Sequence, residues 1–364
     1  MRDVGAVLAH MTAAVSIPCL AIVSVAQAAP RSHEKLIRRV AVDRSSANVS
    51  AGEPVTLTVA TARTTRLNVE VLDRDGFVVR TLIDAGGNTF VWNGRDEAGQ
   101  IVPDEAYSFR IVAAGGADEY FPATRAGTMS AIEPLSYSRT TATLSYRLNG
   151  PSRVHVQAGT VNGVAQGPVL KTIVDRLPRA AGLVAEHWNG FDESGALYIP
   201  DLPGFAIAIA ATPLPENSVI TFGNVKRSFL EYAAQRSGRS LLPHRSLGSR
   251  HAGLDVFNDV APRLTMAKEE AVRHSSVRLR LNAHGPTAAA FLQHPGKIFL
   301  FVDSKLVATR NARKGAEAID LPLPASGEHV VVANWRSDYG PVAVAVLRVH
   351  RGAEPPVPQS GSRP

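Results

Sequence analysis

An all-β chain of tandem antiparallel β-sandwiches is the fold that the sequence predicts, and three observations predict it. Short runs alternate apolar and polar residues with a period of two. Asp-Gly and Asn-Gly pairs stand between such runs, where hairpins turn. One irregular eight-residue string occurs twice, about 96 residues apart. The 364 residues are 45% hydrophobic and 20% charged, with 29 Gly and 24 Pro, the proportions of a globular chain long enough for two or three cores. A formal charge of +7 suits an anionic partner but names none.

Residues 1–29 read as a signal peptide. Arg2 opens them, an apolar stretch fills 13–26, and Ala26-Gln27-Ala28 offers the small-x-small site of a signal peptidase. An apolar core of about 14 residues, broken by Pro18, is too short to span a bilayer, so cleavage near Ala28 is expected, with no transmembrane span in the mature chain. Cys19, the single cysteine, lies inside this segment behind Pro18, where a lipobox would have a small residue. The mature protein therefore has no thiol, which excludes disulfides, thiolate metal sites and a cysteine nucleophile. No cofactor and no metal are expected.

The first unit is expected at residues 30–125. Val55, Leu57 and Val59 alternate with Thr; Leu67, Val69 and Val71 lead into Asp75-Gly76, and Phe77-Val78-Val79 returns as the second arm of a hairpin. Next come Trp92-Asn93-Gly94-Arg95-Asp96-Glu97-Ala98-Gly99 and the strand-like Tyr107-Ser108-Phe109-Arg110-Ile111. A second unit, at 126–222, repeats the plan with Leu144-Ser145-Tyr146, Val154-His155-Val156, an Asn162-Gly163 turn and Leu170-Lys171-Thr172-Ile173-Val174. It then carries Trp188-Asn189-Gly190-Phe191-Asp192-Glu193-Ser194-Gly195 and Phe205-Ala206-Ile207-Ala208-Ile209. The two strings agree at six of eight positions.

Each residue of the string has a structural use. Trp92 and Trp188 end strands by burying an indole; Asn93-Gly94 and Asn189-Gly190 turn with positive φ. Asp96 and Asp192 accept backbone N–H bonds, and Gly99 and Gly195 reverse the chain. The rival reading is a calcium loop of Asn93, Asp96 and Glu97, which lacks the further carboxylates and the terminal bidentate Glu of an EF-hand loop.

On these residues the chain resembles the immunoglobulin-like domain of the flagellar hook-capping protein, called FlgD-like. That family carries D-x-x-G, then V-R-T-L, then W-x-G-x-D-x-x-G and a closing strand that begins with Tyr. Asp73-Arg74-Asp75-Gly76, Val79-Arg80-Thr81-Leu82, the string from Trp92 and the strand from Tyr107 match in that order across residues 36–113. The second copy matches from Trp188 to Ile209, with a longer hairpin and only an approximate V-R-T-L strand. The resemblance implies immunoglobulin-like sandwiches that pack, space or dock other parts of exported proteins, with no catalytic residues attached. The secretory signal speaks against a literal hook-cap role.

Residues 223–275 break the β pattern. A short helix is expected within 226–237, with Phe229, Leu230 and Ala233 on one side. Lys226, Arg227, Arg236, Arg239, Arg245 and Arg250 face a single acid, Glu231, within 225–251. This stretch is read either as a docking strip for an acidic protein, a polysaccharide or an envelope surface, or as a solvated linker. His244, His251, Asp255 and Asp259 also fall here, in no standard metal-ligand spacing. Residues 276–351 return to strands, with a hairpin turn at Val302-Asp303-Ser304-Lys305. Gly327-Glu328-His329 before a strand, followed by Asp338-Tyr339-Gly340, resembles bacterial immunoglobulin-like modules. The tail, 352–364, is rich in Pro, Ser and Gly and is expected to be disordered.

The sequence has no G-x-S-x-G, H-E-x-x-H, Walker or dinucleotide motif. The expectation is an exported, non-enzymatic scaffold or docking subunit of a periplasmic or cell-surface assembly, with protein partners and no nucleic acid. The alternatives are a polysaccharide- or polyanion-binding surface protein that uses the 225–251 arginines, and a hydrolase with its site in 223–275. Circular dichroism should show mainly β-structure, and helix in more than about a third of the residues, the share in average soluble proteins, would exclude this architecture.

Overall fold

Along Val55–Thr61 every second side chain is buried, and strands of this kind build the whole fold. The computed structural model describes residues 35–122, 132, 135–162, 165–235, 256–269, 276–312, 317–324, 326–338 and 340–352. The expected signal peptide and, beyond Gly352, the expected tail lie outside them. Everything below concerns the unit that begins at Leu36.

The first part of the chain supplies β1 (Ile37–Val42), β2 (Ser46–Asn48), β3 (Val55–Thr61) and β4 (Leu67–Leu72). After these come β5 (Val78–Leu82), β6 (Thr89–Trp92), β7 (Ala106–Ala113) and β8 (Glu119–Tyr120). One sheet runs β1-β3-β6; the other holds β5, β4, β7 and β8, and the two enclose a core that includes Leu57, Val69, Phe90, Trp92, Tyr107 and Phe109. The second sandwich is made of β9 (Ser136–Ser138), β10 (Thr143–Leu148), β11 (Ser152–Asn162) and β12 (Ala165–Arg179), with β13 (Gly182–His187) and β14 (Phe205–Pro213). Its sheets run β13-β10-β9 and β12-β11-β14.

The next strand, β15 (Val219–Phe222), does not stay with the second sandwich. It returns to the first, antiparallel to β7 (Val219 opposite Tyr107) and parallel to β2 (Ile220 opposite Ser46). Helix α1 (Phe229–Ala234) follows, closed at its start by a capping box between Ser228 and Glu231. Its Phe229, Tyr232 and Ala233, together with Val256 of α2 (Val256–Asp259), complete the first core. The sequence reading placed 219–222 in the second unit and 223–275 in a linker. The structure differs because three apolar side chains at i, i+3 and i+4 make a helix face that must be covered, and the first core covers it.

A second difference lies at β16 (Arg263–Lys268), which pairs with β17 (Ser276–His284) from Arg263 opposite His284 to Lys268 opposite Leu279. The third sandwich thus starts before residue 276. Only Leu264 and Met266 mark β16 as alternating, between charged neighbours, which is too short a pattern to read. After α3 (Ala288–Gln293), the sandwich adds β18 (Gly296–Val302), β19 (Lys305–Asn311), β20 (Glu317–Pro322), β21 (Gly327–Ser337) and β22 (Val342–Arg351). Its sheets run β16-β17-β20 and β19-β18-β21-β22.

In the larger of these two sheets β18, β21 and β22 bury side chains on both faces. Ile298, Leu300, Val331, Ala333 and Trp335 point into the third core, while Phe301, Val332, Val344 and Val346 join Ala158, Leu170, Trp188 and Ile199 of the second sandwich. Burial on both sides is the reason that β18, β21 and β22 read as nearly continuous apolar runs. Asn334, buried at this seam, accepts from Val169 N–H and donates to Val169 C=O, both at 2.8 Å, as an added rung of a β-ladder.

Tyr232→Ala should cost about 3–5 kcal/mol, as for other large aromatic truncations in cores. A residue in a solvated linker would change stability by less than about 0.5 kcal/mol, so a urea titration of the parent and the variant separates the two placements.

Candidate functional site

The duplicated string makes the same loop twice. Trp92 closes β6 and Trp188 follows β13; both indoles are buried, and their Nε1–H groups donate to the carbonyl three residues on, Arg95 at 3.0 Å and Phe191 at 2.9 Å. Asn93 Oδ1 accepts from Arg95 N–H, and Asn189 Oδ1 accepts from Phe191 N–H. Asp96 Oδ1 takes the amides of Ala98 and Gln100 at 2.9 and 3.0 Å; Asp192 Oδ1 takes those of Ala196 and Leu197, both at 2.8 Å. Gly99 N–H donates to Asp96 C=O and Gly195 N–H to Asp192 C=O. The same backbone bond ties each loop to its sandwich, Glu97 N–H to Val79 C=O or Glu193 N–H to Leu170 C=O, both 2.9 Å. The second loop is one residue longer: Val102 N–H closes on Gly94, but Ile199 N–H on Gly190.

Two glycines have no substitute here. Gly94 has φ +71° and a Cβ would lie 2.2 Å from Val49 Cγ1; Gly190 has φ +85° and a Cβ would lie 2.3 Å from Tyr198 Cε2. The aromatic neighbours of the two indoles differ. Tyr107 lies 5.2 Å from Trp92, centroid to centroid, and its hydroxyl donates to Pro103 C=O at 3.1 Å, bonding back to the chain just upstream. Phe205 holds the matching position in the second copy, and Tyr137 of β9 covers Trp188 at 4.9 Å instead, donating to its C=O. Burial, reinforced by neighbouring Tyr198, pushes the Tyr137 phenol up to about 12.

Calcium ligation would need converging oxygens, and these diverge. Asn93 and Asp96 serve loop amides, while Glu97 Oε1 accepts from Thr81 N–H at 2.6 Å. Among the described residues no group of three or more His, Cys, Asp or Glu is arranged to hold a metal ion.

A second constellation, which the sequence reading missed, lies where the first two sandwiches meet. Glu105, at the start of β7, faces two buried guanidinium groups. Arg153 Nη1 is 2.8 Å from its Oε1, and Arg74 Nη1 is 3.5 Å from its Oε2. Arg74 reaches on to Asp259 Oδ2 at 3.3 Å and to Asp75 Oδ1 at 3.7 Å. Arg153 also donates to Arg176 C=O at 3.0 Å, and Arg176 Nη1 donates to Asp259 C=O, which closes a ring through both sandwiches and α2. A β-bulge aims these groups. Val154 pairs with Leu177 and Val156 with Val174, so Asp175 and Arg176 together oppose the single residue His155, and Arg176 sits at φ +54°.

Burial works against the charge of Arg74, yet Glu105, Asp75 and Asp259 hold its pKa above the ordinary arginine value. For Arg153 burial prevails: Glu105 offsets it only in part and Arg74 repels, so its pKa is lowered. Burial also works upward on the Asp175 carboxyl, but His155, Arg176 and the amide of Ala261 hold it below the usual aspartate range. Nothing in the chain signalled this ring, since apart from adjacent Arg74 and Asp75 its bonded members are 23 to 185 positions apart.

Of the arginine-rich stretch, Lys226 is exposed, and Arg227 lies 4.8 Å from the Tyr232 ring centroid and bonds to Gln100 at 2.9 Å. Arg236, Arg239, Arg245 and Arg250 lie outside the described residues, as do His244, His251 and Asp255. Asp259, the remaining member of the hydrolytic grouping, is held by Arg74. Among the described residues no helix is long and apolar enough to cross a membrane.

Residues 44–117 match the family model of the FlgD Ig-like domain. The basal-body rod modification proteins FlgD of Salmonella typhimurium and Salmonella typhi are each 32% identical over 77 residues, 20% of this chain and 29% of theirs. The chain thus spans less than a third of the length of these curated relatives. Among solved structures, a four-repeat extending region of a large adhesion protein overlays 86% of this chain and 74% of its own, at 12% identity and TM-score 0.22. The central fibronectin-III array of RIM-binding protein covers 87% and 97%, at 12% identity and TM-score 0.19. Overlays this loose carry no argument beyond themselves.

Trp92→Ala and Trp188→Ala should each cost about 3–5 kcal/mol. Differential scanning calorimetry should show Trp92→Ala lowering only the transition of the first sandwich. Trp188→Ala should lower that of the second and third together, because its indole belongs to the seam they share. A parent melting temperature that rises strongly with added calcium would restore the ligand reading.

Proposed function

We propose that this chain is an exported, non-enzymatic scaffold that docks other proteins of a periplasmic or cell-surface assembly. The observation that carries the reading is the FlgD Ig-like match at 44–117, extended by the second loop, which repeats the indole, Asn and Asp bonds of the first. On this reading both 30–125 and 126–222 are FlgD-like immunoglobulin domains, and the sandwich that includes 276–351 is a third immunoglobulin-like module. Polar side chains at the two loops are spent on backbone groups, and the buried charges are spent on joining sandwiches. Such a body presents faces and sheet edges at fixed angles, the property a spacer or docking subunit needs.

The polyanion alternative rests on exposed Lys226 and the arginines that follow it in sequence. The two readings separate in one experiment on the mature chain from its host. Mass spectrometry should find the amino terminus near Ala29, and cross-linking in the intact envelope should trap a protein at fixed stoichiometry. That complex should be unchanged when Arg236, Arg239 and Arg245 are replaced by Gln. Binding to an anionic polysaccharide that weakens steeply with salt and vanishes in the triple variant would instead make the stretch the site.

A further inference from the structure

The two seams of this molecule differ in chemistry. Between the second and third sandwiches one apolar cluster crosses the boundary, with Leu170 and Trp188 on one side and Phe301 and Val346 on the other. No cluster among the described residues crosses from the first sandwich to the second: the first core draws only on residues 37–120 and 219–260, and the second core holds none of them. What spans that boundary is the ionic ring and its neighbours, and toward the third sandwich α2 packs beside α3. We propose that the ring makes the joint between the first sandwich and the fused second and third an acid-released hinge.

The groups involved face one another from every element at the joint. Glu105, just before β7, meets Arg74 from the β4–β5 hairpin and Arg153 from β11, and takes the Ala106 amide. Asp75 meets Arg74, and Asp259 of α2 meets Arg74 through its carboxylate and Arg176 through its carbonyl. Asp175 on β12 stands 3.2 Å from His155 Nδ1 on β11 and 3.5 Å from Arg176 Nη1, and accepts from Ala261 N–H at 3.2 Å. Nearby, Arg179 is paired with Glu186, while Arg227 donates to two glutamines and keeps its positive charge.

The sign follows from the carboxylates. Asp175, held below the usual aspartate range, contributes its full stabilisation above the unfolded value of about 3.9 and loses it as pH falls through its lower folded value. Arg74 and Arg153 depend on the negative charge that faces them, because buried cations without counter-charge are the arrangement least tolerable in a low dielectric. The sandwiches themselves are held by apolar cores, which do not depend on charge. The joint should therefore open at a higher pH than the sandwiches melt.

The test is energy transfer in the full chain, with Cys19→Ser and dye pairs at exposed positions. Thr64→Cys with Ala181→Cys reports on the joint, and Ala181→Cys with Lys305→Cys reports on the apolar seam. Below about pH 4 the first pair should lose transfer while the second pair and the far-ultraviolet circular dichroism stay unchanged. Arg74→Met, Glu105→Leu and Arg153→Met together should abolish that step, as an apolar replacement of a buried ionic group can. Should the triple variant fail to fold, Asp259→Asn alone should move the midpoint to higher pH. Loss of transfer that coincides with loss of circular dichroism, or a midpoint that Asp259→Asn leaves in place, overturns the hinge.

Discussion

Two buried guanidinium groups, Arg74 and Arg153, share the carboxylate of Glu105, and the way the chain is joined depends on that sharing. A buried cation with half a counter-ion must find other acceptors. Arg74 finds Asp259 and Asp75, and Arg153 finds the carbonyl of Arg176. These needs draw α2 and the bulge of β12 to one point. Breaking such a pair by removing one partner costs about 3–5 kcal/mol, although an intact buried pair is worth little over a well-packed apolar one. The ring is thus a device for orientation more than for stability.

The opposite solution appears at the other seam. There the sheet with β18, β21 and β22 puts apolar side chains on both faces and shares one face with the second sandwich. Burial of this sort is non-directional and insensitive to pH, so its direction comes from a single polar insertion, the Asn334 amide bonded to Val169. One molecule thus combines an apolar seam with a polar pin and an ionic seam that no apolar cluster crosses among the described residues.

The duplicated loop shows how a string can persist while its surroundings change. Its internal bonds, from indole to carbonyl and from Asp to amides, are made within ten residues and so survive a one-residue insertion and a new aromatic neighbour. What covers the indole is left to context: Tyr107 from the following strand in one copy, Tyr137 from a preceding strand in the other.

The sequence by itself determined the all-β class, the paired strands and the two tryptophan loops, because alternation, Gly turns and short-range side-chain caps act over fewer than about ten residues. It also marked the face of α1, as Phe229 and Ala233, without saying what that face would meet. Tertiary structure alone decided that β15 and α1 return to the first core, that β16 opens the third sandwich, and that Arg74, Glu105, Arg153 and Asp259 converge. Each of those outcomes joins residues far apart in the chain, and a four-residue run such as Val219–Phe222 satisfies any open sheet edge equally well until side chains elsewhere choose one. A buried charge leaves no periodic trace, since its partners are set by folding and not by spacing.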